Sequence, residues 1–141
     1  MGLAAMTHFN ASALKIWLFE RDVRVRPPAT PAALRQLQAS FDRPIHSDIL
    51  ALYETFDGCA DDDFEVESFF TFWPIDRGLE YMRERALNGM LPFGDVSLSA
   101  DVVLCAATEP TAPVRWHDEI LPRHDGFDRF IDTLMRGKLW S

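Results

Sequence analysis

Residues 44–58 read Pro-Ile-His-Ser-Asp-Ile-Leu-Ala-Leu-Tyr-Glu-Thr-Phe-Asp-Gly, and the other elements are predicted outward from this stretch. It predicts one complete helix. Pro44 fixes φ at the start, and Ser47 and Asp48 bring oxygens near the free N–H groups of the first turn. Asp57-Gly58 predicts the end, because glycine adopts the left-handed conformation found there. Apolar residues at helical spacing predict one buried face: Ile45, Ile49, Leu52, Tyr53 and Phe56.

Two shorter helices are predicted before this stretch. Residues 9–22 form the first, capped by Asn10 or Ser12, with Leu14, Trp17, Leu18 and Arg21 at helical spacing. A proline-rich connector follows at Arg24–Pro31. Its last two residues, Thr30-Pro31, supply a cap and a first-turn proline for the second helix. The buried stripe of that second helix is predicted to be Leu34, Leu37 and Phe41.

Beyond Gly58 the pattern changes from a helical period to alternation. Residues 59–63, Cys-Ala-Asp-Asp-Asp, predict an acidic loop, and residues 64–73 predict a strand. One face of this strand begins with Glu65 and Glu67, so that its charged end is expected to be solvated. After this strand, Asp76 is predicted to cap another helix. Asn88-Gly89 is predicted to end that helix.

The rest of the chain predicts a meander and a closing helix. Residues 91–95 lead into the sheet, and Val96, Leu98, Val102, Leu104 and Ala106 share one alternating phase, with a turn at residues 99–101. Residues 114–117 add a short strand. Asp125 is predicted to cap the last helix, whose apolar residues are Phe127, Phe130, Ile131, Leu134 and Met135. The expected fold class is therefore α+β: one domain over residues 1–141, with a core at about 10–137 and a twisted, mostly antiparallel sheet.

Composition and termini narrow the class of protein. Hydrophobic residues make up 48% of the 141 residues, which is enough for a sizeable core without disulfides or metals. The N-terminus has no basic region before a long apolar run, and no apolar stretch approaches the roughly 20 residues of a membrane span. We therefore expect a cytoplasmic protein with two reduced, buried or half-buried thiols, Cys59 and Cys105.

The net charge of −8, from 22 acidic and 14 basic residues, argues against direct binding to nucleic acid or anionic lipid. It suits a basic protein partner, although a charge of this size also simply keeps a domain soluble. The most suggestive cluster is acidic. It is either a partner-binding patch or a solvated loop with edge-protecting charges, and its members are Asp61, Asp62, Asp63, Glu65 and Glu67.

Catalytic and metal-binding patterns are weak in this sequence. The dipeptide His124-Asp125 is found in hydrolase metal motifs, but its partner histidine motifs are missing. Cys105 lies in an apolar strand, and Cys59 has acidic neighbours that raise a thiol pKa. We expect no catalytic residue, no cofactor and no metal, with a small metal-dependent hydrolase using His124 and Asp125 as the remote alternative.

The order of these segments resembles the SUKH superfamily, the SMI/KNR-type proteins related to fungal cell-wall-assembly regulators. The similarity covers about residues 10–137. It is carried by the capped helix at 44–58, the run Phe-Phe-Thr-Phe-Trp-Pro at 69–74, the run Leu-Pro-Phe-Gly-Asp at 91–95 and the run Gly-Phe-Asp-Arg-Phe-Ile at 126–131. The chain has Arg43-Pro44 where the family more often has Leu-Pro, and Asp57-Gly58 where it often has Asn-Gly.

The resemblance implies a non-enzymatic, protein-binding domain. Bacterial SUKH members are mostly immunity proteins that neutralise a cognate polymorphic toxin by tight binding, and a basic nuclease would suit the acidic surface. The alternative is a housekeeping interaction or scaffold module without a toxin. A gene that stands away from any toxin gene would favour this second hypothesis.

Overall fold

A computed structural model describes residues 9–96 and 101–140. Helix α1 spans Ala11–Glu20, and Asn10 caps it by accepting a hydrogen bond from Ala13 N–H at 2.9 Å. Helix α2 spans Pro31–Ala39, with Thr30 accepting from Ala33 N–H at 3.1 Å. Both caps match the sequence prediction, since a side-chain oxygen next to the first turn satisfies an N–H group that lacks a partner within the helix.

Helix α3, Ser47–Thr55, is shorter than the predicted helix at residues 44–58. His46 is its cap and accepts from Asp48 N–H through Nδ1 at 3.1 Å, so the histidine does what Ser47 was expected to do. Phe56 is already extended, with φ −157°, and Gly58 takes its positive φ of 81° beyond the helix end. The predicted apolar face is confirmed, because all five of its members are buried: Ile45, Ile49, Leu52, Tyr53 and Phe56.

A meander sheet follows the helices. Its strands are β1, Phe70–Phe72; β2, Met90–Val96; β3, Asp101–Ala106; and β4, Val114–Trp116. Within the described residues they lie in the order β1-β2-β3-β4, and every neighbouring pair is antiparallel. Helix α4, Ile75–Arg85, connects β1 to β2, and helix α5, Phe127–Met135, follows the sheet. The predicted α+β class and the meander are therefore confirmed for a single small domain.

Strand β2 bends at a register shift between Pro92 and Gly94. The ring of Phe70 in β1 lies against Gly94: a Cβ on Gly94 would lie 2.3 Å from Phe70 Cζ and 2.4 Å from the carbonyl oxygen of Thr71. No side chain fits in that space, which explains the glycine in a strand interior. The bend also accommodates Pro92, which cannot donate a hydrogen bond to the ladder.

The core lies between the sheet and the helices. Helix α1 packs on α3 and α5, α2 packs on α3 and α4, and α4 packs on β2. Aromatic rings fill the centre, where Phe70 contacts the rings of Phe72, Phe93 and Phe130 at centroid distances of 4.8, 5.9 and 5.3 Å. These rings lie at the centre of the hydrophobic core and pack mainly edge to face or tilted.

Two sequence predictions about the sheet are wrong or lie partly outside the described residues. The strand predicted at residues 64–73 is reduced to β1, because Phe69 takes a φ of +60° and residues 65–69 turn, closed by a bridge between Glu65 and Phe70. A turn was predicted at residues 99–101, but Asp101 is the first residue of β3. The other two residues of that turn lie outside the described residues, and so does Leu98.

Two predicted helix caps are also wrong. At α4 the N-cap is Pro74, and the carboxylate of Asp57 accepts from Ile75 N–H at 2.8 Å, while Asp76 lies in the first turn. At α5 the N-cap is Gly126, with no side-chain cap, so Asp125 lies one residue too early. Among the described residues, no helix is long and apolar enough to cross a membrane.

Candidate partner-binding surface

The predicted acidic loop starts from a fixed point at Gly58. A Cβ there would lie 2.4 Å from Pro74 N, and the φ of +81° independently favours glycine. The next residue, Cys59, donates its N–H to Phe72 O at 2.8 Å and pairs with Val25 in an antiparallel bridge. The loop is therefore anchored on β1 on one side and on the connector before α2 on the other.

Residues 60–62 form a short 3-10 turn that displays two carboxylates. Asp61 and Asp62 both have positive φ, 52° and 58°, which is unusual for residues other than glycine. Their side chains are 81% and 77% exposed. Aspartate tolerates this conformation better than most residues, because its short polar side chain can bond locally. The backbone of the loop thus holds two neighbouring carboxylates out in solvent.

Arg24 holds the loop from the connector. Its N–H and Nε donate to Asp63 Oδ2 at 2.9 and 3.3 Å, and its Nη1 lies 3.5 Å from Asp61 Oδ2. The hydrogen bond from the Arg24 N–H, followed by those from its guanidinium and from Phe64 N–H, lowers the pKa of Asp63. Asp63 is thus ionised and mainly structural, whereas Asp61 is the outer carboxylate of this group.

Arg77 holds the other side of the loop from α4. Its Nη1 lies 2.6 Å from Asp62 Oδ1, and its Nη2 lies 3.7 Å from Asp95 Oδ2. The guanidinium also stacks on the Trp73 ring, 4.2 Å from the centroid. Burial raises the pKa of Asp95, and Arg77 partly offsets that rise. Arg26 lines the same depression as Asp61, Asp62 and Arg77. The four carboxylates therefore lie among three guanidinium groups, and the local excess of negative charge is small.

Glu65 does not lie on a solvated face, and this prediction is wrong. Its side chain is 2% exposed and accepts from Ser68 N–H and Ser68 Oγ at 2.9 and 2.7 Å, and from Glu67 N–H at 3.1 Å. Arg21 Nε lies 3.8 Å away. The strand predicted from the alternating pattern does not form here, because the Glu65 carboxylate accepts hydrogen bonds from the residues that follow it and stabilises a turn instead. Glu67 is exposed as expected, but lies in the turn rather than in a strand.

Both thiols are buried, as predicted. Burial, with smaller contributions from Asp63, Asp62 and Asp95, raises the pKa of Cys59 to about 12. Burial alone raises the pKa of Cys105 further. Both groups are therefore protonated thiols at neutral pH, and a protonated thiol is a poor nucleophile.

His124 and Asp125 take part in packing and in an exposed ion pair. The His124 ring lies 5.3 Å from the ring of Phe130, and the backbone N–H of His124 donates to Val114 O at 3.1 Å. Burial and the neighbouring Arg123 lower the pKa of His124, and Asp125 opposes this shift. Asp125 lies 3.9 Å from Arg129 in an exposed pair.

Among residues 9–96 and 101–140, no group of three or more His, Cys, Asp or Glu side chains could hold a metal ion. No protein-family model matches the chain, and no curated protein sequence matches it. The resemblance to the SUKH superfamily therefore stays a prediction.

The structure adds two kinds of surface residue that the sequence interpretation missed. Arg24 and Arg77 hold the acidic loop from elements far away in the chain, and nothing in local spacing indicates such pairs. Ile16 and Phe19 lie on the outer face of α1, with exposures of 58% and 79%. Their i, i+3 spacing opposite the buried stripe was a readable signal in the sequence.

Proposed function

We propose that this chain is a SUKH-type protein-binding domain that acts as a bacterial immunity protein, neutralising a basic toxin in the cytoplasm by tight binding. The observation that carries this proposal is the acidic loop. Asp61 and Asp62 hold exposed carboxylates on a backbone of positive φ, fixed by Arg24 and Arg77. Conformations of this kind cost free energy and cluster at functional sites.

The arrangement suits a cationic protein partner. The carboxylates are already oriented, so that binding orders few side chains and little free energy is lost on association. A lysine or arginine of the partner can join Asp61 and Asp62 without displacing the two guanidinium groups behind them. A basic nuclease uses its cationic surface for phosphates, and an acidic inhibitor that covers this surface blocks the enzyme.

The similarity in the order of segments supports the same function. The capped helix α3, the aromatic strand β1, the bent strand β2 and the closing helix α5 fall on the segments that carry the resemblance. The acidic loop lies directly after the first of them. Its carboxylates are Asp61, Asp62 and Asp63. Glu67 is exposed, but its carboxylate lies beside Gly137 after α5, and the buried Glu65 no longer belongs to the proposed contact.

The test is co-expression with the C-terminal toxin domain encoded by a gene adjacent to this one; the absence of any adjacent toxin gene would favour the scaffold alternative. We expect growth to be restored and the two proteins to co-purify as a complex. No restored growth together with no complex would contradict the proposal and would favour the scaffold alternative.

A charge-reversal pair tests the role of the loop. The double substitution Asp61→Lys with Asp62→Lys should slow association about tenfold and weaken its salt dependence, because oriented charges steer the encounter. Glu109→Lys with Asp118→Lys changes the net charge equally at two other exposed sites and is the matched control. Equal association rates for the two variants would show that only net charge matters.

A further inference from the structure

Residues 86–89 join helix α4 to strand β2 and contain the dipeptide Asn88-Gly89. Helix α4 ends at Arg85 and β2 begins at Met90, so the dipeptide lies outside regular secondary structure. Both of its residues are exposed, and Gly89 has a positive φ of 72°. The dipeptide belongs neither to the hydrophobic core nor to the proposed partner-binding surface.

The fold leaves both residues of this dipeptide free to move. Among the described residues, no hydrogen bond engages the side-chain amide of Asn88 or the backbone N–H of Gly89. The residue just before them, Leu87, still donates its N–H to Met82 O at 3.0 Å. A Cβ built on Gly89 would meet no heavy atom within 4 Å. Asn88 and Gly89 can therefore change their torsion angles without breaking a hydrogen bond of the domain.

Two other dipeptides of the chain place aspartate before glycine, at residues 57–58 and 125–126, and their glycines are packed. A Cβ on Gly58 would lie 2.4 Å from a backbone nitrogen, and a Cβ on Gly126 would lie 2.7 Å from a carboxylate oxygen. The space around Gly89 is open by comparison. In the described part of the chain, residues 88–89 are therefore the one pair in which asparagine or aspartate precedes an unhindered glycine.

We propose that Asn88 is a site of deamidation, a covalent modification that converts its side-chain amide into a carboxylate. The backbone nitrogen of Gly89 loses its proton to a base and attacks Cγ of Asn88. A bond forms between that nitrogen and Cγ, the bond from Cγ to Nδ2 breaks, and the amide group leaves as ammonia after taking up a proton. Glycine permits this attack because it has no side chain and its backbone adopts conformations that other residues avoid. Asparagine is for such reasons among the thermolabile residues of proteins.

Water completes the reaction by adding to the cyclic imide that the attack leaves. Opening at one carbonyl gives aspartate, and opening at the other gives isoaspartate, in which the backbone runs through the former side chain. Both products change the net charge from −8 to −9, because one neutral amide becomes one carboxylate. The reaction needs no partner protein, so the inference is independent of the proposed function.

The modification alters the junction between α4 and β2. The new charge lies just beyond the C-terminal end of α4, where the helix dipole is already negative. Isoaspartate also adds one carbon atom to the backbone just before Met90, which pairs with Ala106 at the start of β2. Older molecules therefore differ from new ones in charge and, where isoaspartate forms, in the backbone that enters the sheet.

Peptide mapping of the full chain tests the site. Trypsin cleaves after lysine and arginine, so it places Asn88 in the peptide 86–115 and Asn10 in the peptide 1–15, and neither peptide contains another side-chain amide. Asn10 is the internal control, because its Oδ1 accepts from Ala13 N–H at 2.9 Å in the cap of α1. During incubation at pH 8, peptide 86–115 should gain the mass of an amide-to-acid conversion at least about tenfold faster than peptide 1–15, since Asn10 must first leave its cap. A rate at or below that of peptide 1–15 would overturn the proposal.

A free peptide and two variants separate local structure from chemistry. The folded chain should convert within about tenfold of the rate of a synthetic peptide of residues 84–92, because no local opening is needed. A slower folded chain would show that the fold holds the dipeptide in place, which would overturn the proposal. Gly89→Ala should slow the conversion several-fold, and Asn88→Gln, which keeps an amide, should abolish the mass gain over the same period. A mass gain that both variants retain would rule out attack by the Gly89 nitrogen.

The products identify the route of the reaction. Direct hydrolysis of the amide by water gives only aspartate, whereas the cyclic imide gives isoaspartate as well. An isoaspartate-specific methyltransferase with labelled S-adenosylmethionine should therefore modify the incubated chain and leave the fresh chain unmodified. Incubated Asn88→Gln is the matched control and should stay unlabelled. Equal labelling of the parent and this variant would assign the isoaspartate to another position and overturn the proposal.

Discussion

Helices α1 and α5 are similar in length and differ in how their apolar residues are distributed. In α5 the large apolar residues fall on one side, where Phe127, Phe130, Ile131 and Leu134 are buried and Met135 is partly buried. The opposite side carries the exposed Arg129 and the partly exposed Asp128 and Asp132. In α1 the buried stripe is accompanied by exposed Ile16 and Phe19. Burial within the domain therefore accounts for the apolar side of α5. In α1 it accounts for three of the five large apolar residues, Leu14, Trp17 and Leu18, and leaves Ile16 and Phe19 exposed.

The largest expected effect contrasts one phenylalanine from each helix. Phe130 of α5 is fully buried and contacts the rings of Phe70, Phe93 and Trp116, so Phe130→Ala should lower the free energy of unfolding by about 3–5 kcal/mol. Phe19→Ala should change it by less than about 0.5 kcal/mol, because little apolar area leaves water at that site. Urea denaturation with an unchanged m-value measures both. A large loss with Phe19→Ala would mean that α1 has a packing partner within the chain.

A smaller effect is expected at the helix starts. Asn10→Ala should cost about 1 kcal/mol of stability, since it removes the acceptor for Ala13 N–H in α1. Asp125→Ala should cost less than about 0.5 kcal/mol, because Asp125 does not cap α5 and its pair with Arg129 is exposed. Thermal unfolding of the two single variants gives the comparison. Equal losses would indicate that Asp125 does cap α5 in solution.

The smallest expected effect is the pH dependence of stability that arises from His124, which lies just before α5. The folded chain lowers the pKa of His124 below its ordinary value of 6.5, mainly by burial, so the unfolded chain binds the proton more strongly. Stability should therefore fall as the pH drops below about 6.5, and the fall should be smaller in His124→Gln. Urea denaturation at pH 8 and pH 5.5 measures the difference. An unchanged pH dependence in the variant would assign the titration to other groups.

The helices could be predicted because their information is local. The α1 and α2 caps, the apolar face of α3 and the stripe of α5 each follow from residues within one or two turns. The meander also followed from short apolar runs separated by turns. Local signals of this kind act before any tertiary contact forms.

The errors occurred where a distant or competing contact decides the structure. Asp57 lies in a different element from the Ile75 N–H group that it caps, so proximity in sequence pointed to Asp76 instead. Glu65 fits an alternating strand, but its carboxylate bonds to three donors of its own turn and ends the alternation. The ion pairs of the candidate surface could not be predicted for the same reason. Arg24 and Arg77 are distant from the acidic loop in sequence, and only the folded chain brings them to Asp63 and Asp62.

The two buried thiols can report how this domain opens, because a reagent reaches each of them only after the surrounding structure has opened. Cys59 lies beneath the acidic loop, at the bridge to Val25, and Cys105 lies in the middle of β3. Because both are protonated and inaccessible in the folded chain, an alkylating reagent reacts only with molecules that have opened. Modification of Cys59 follows release of the loop, whereas modification of Cys105 requires the sheet to separate. The ratio of the two alkylation rates therefore compares the local free energy of the loop with the global free energy of the domain.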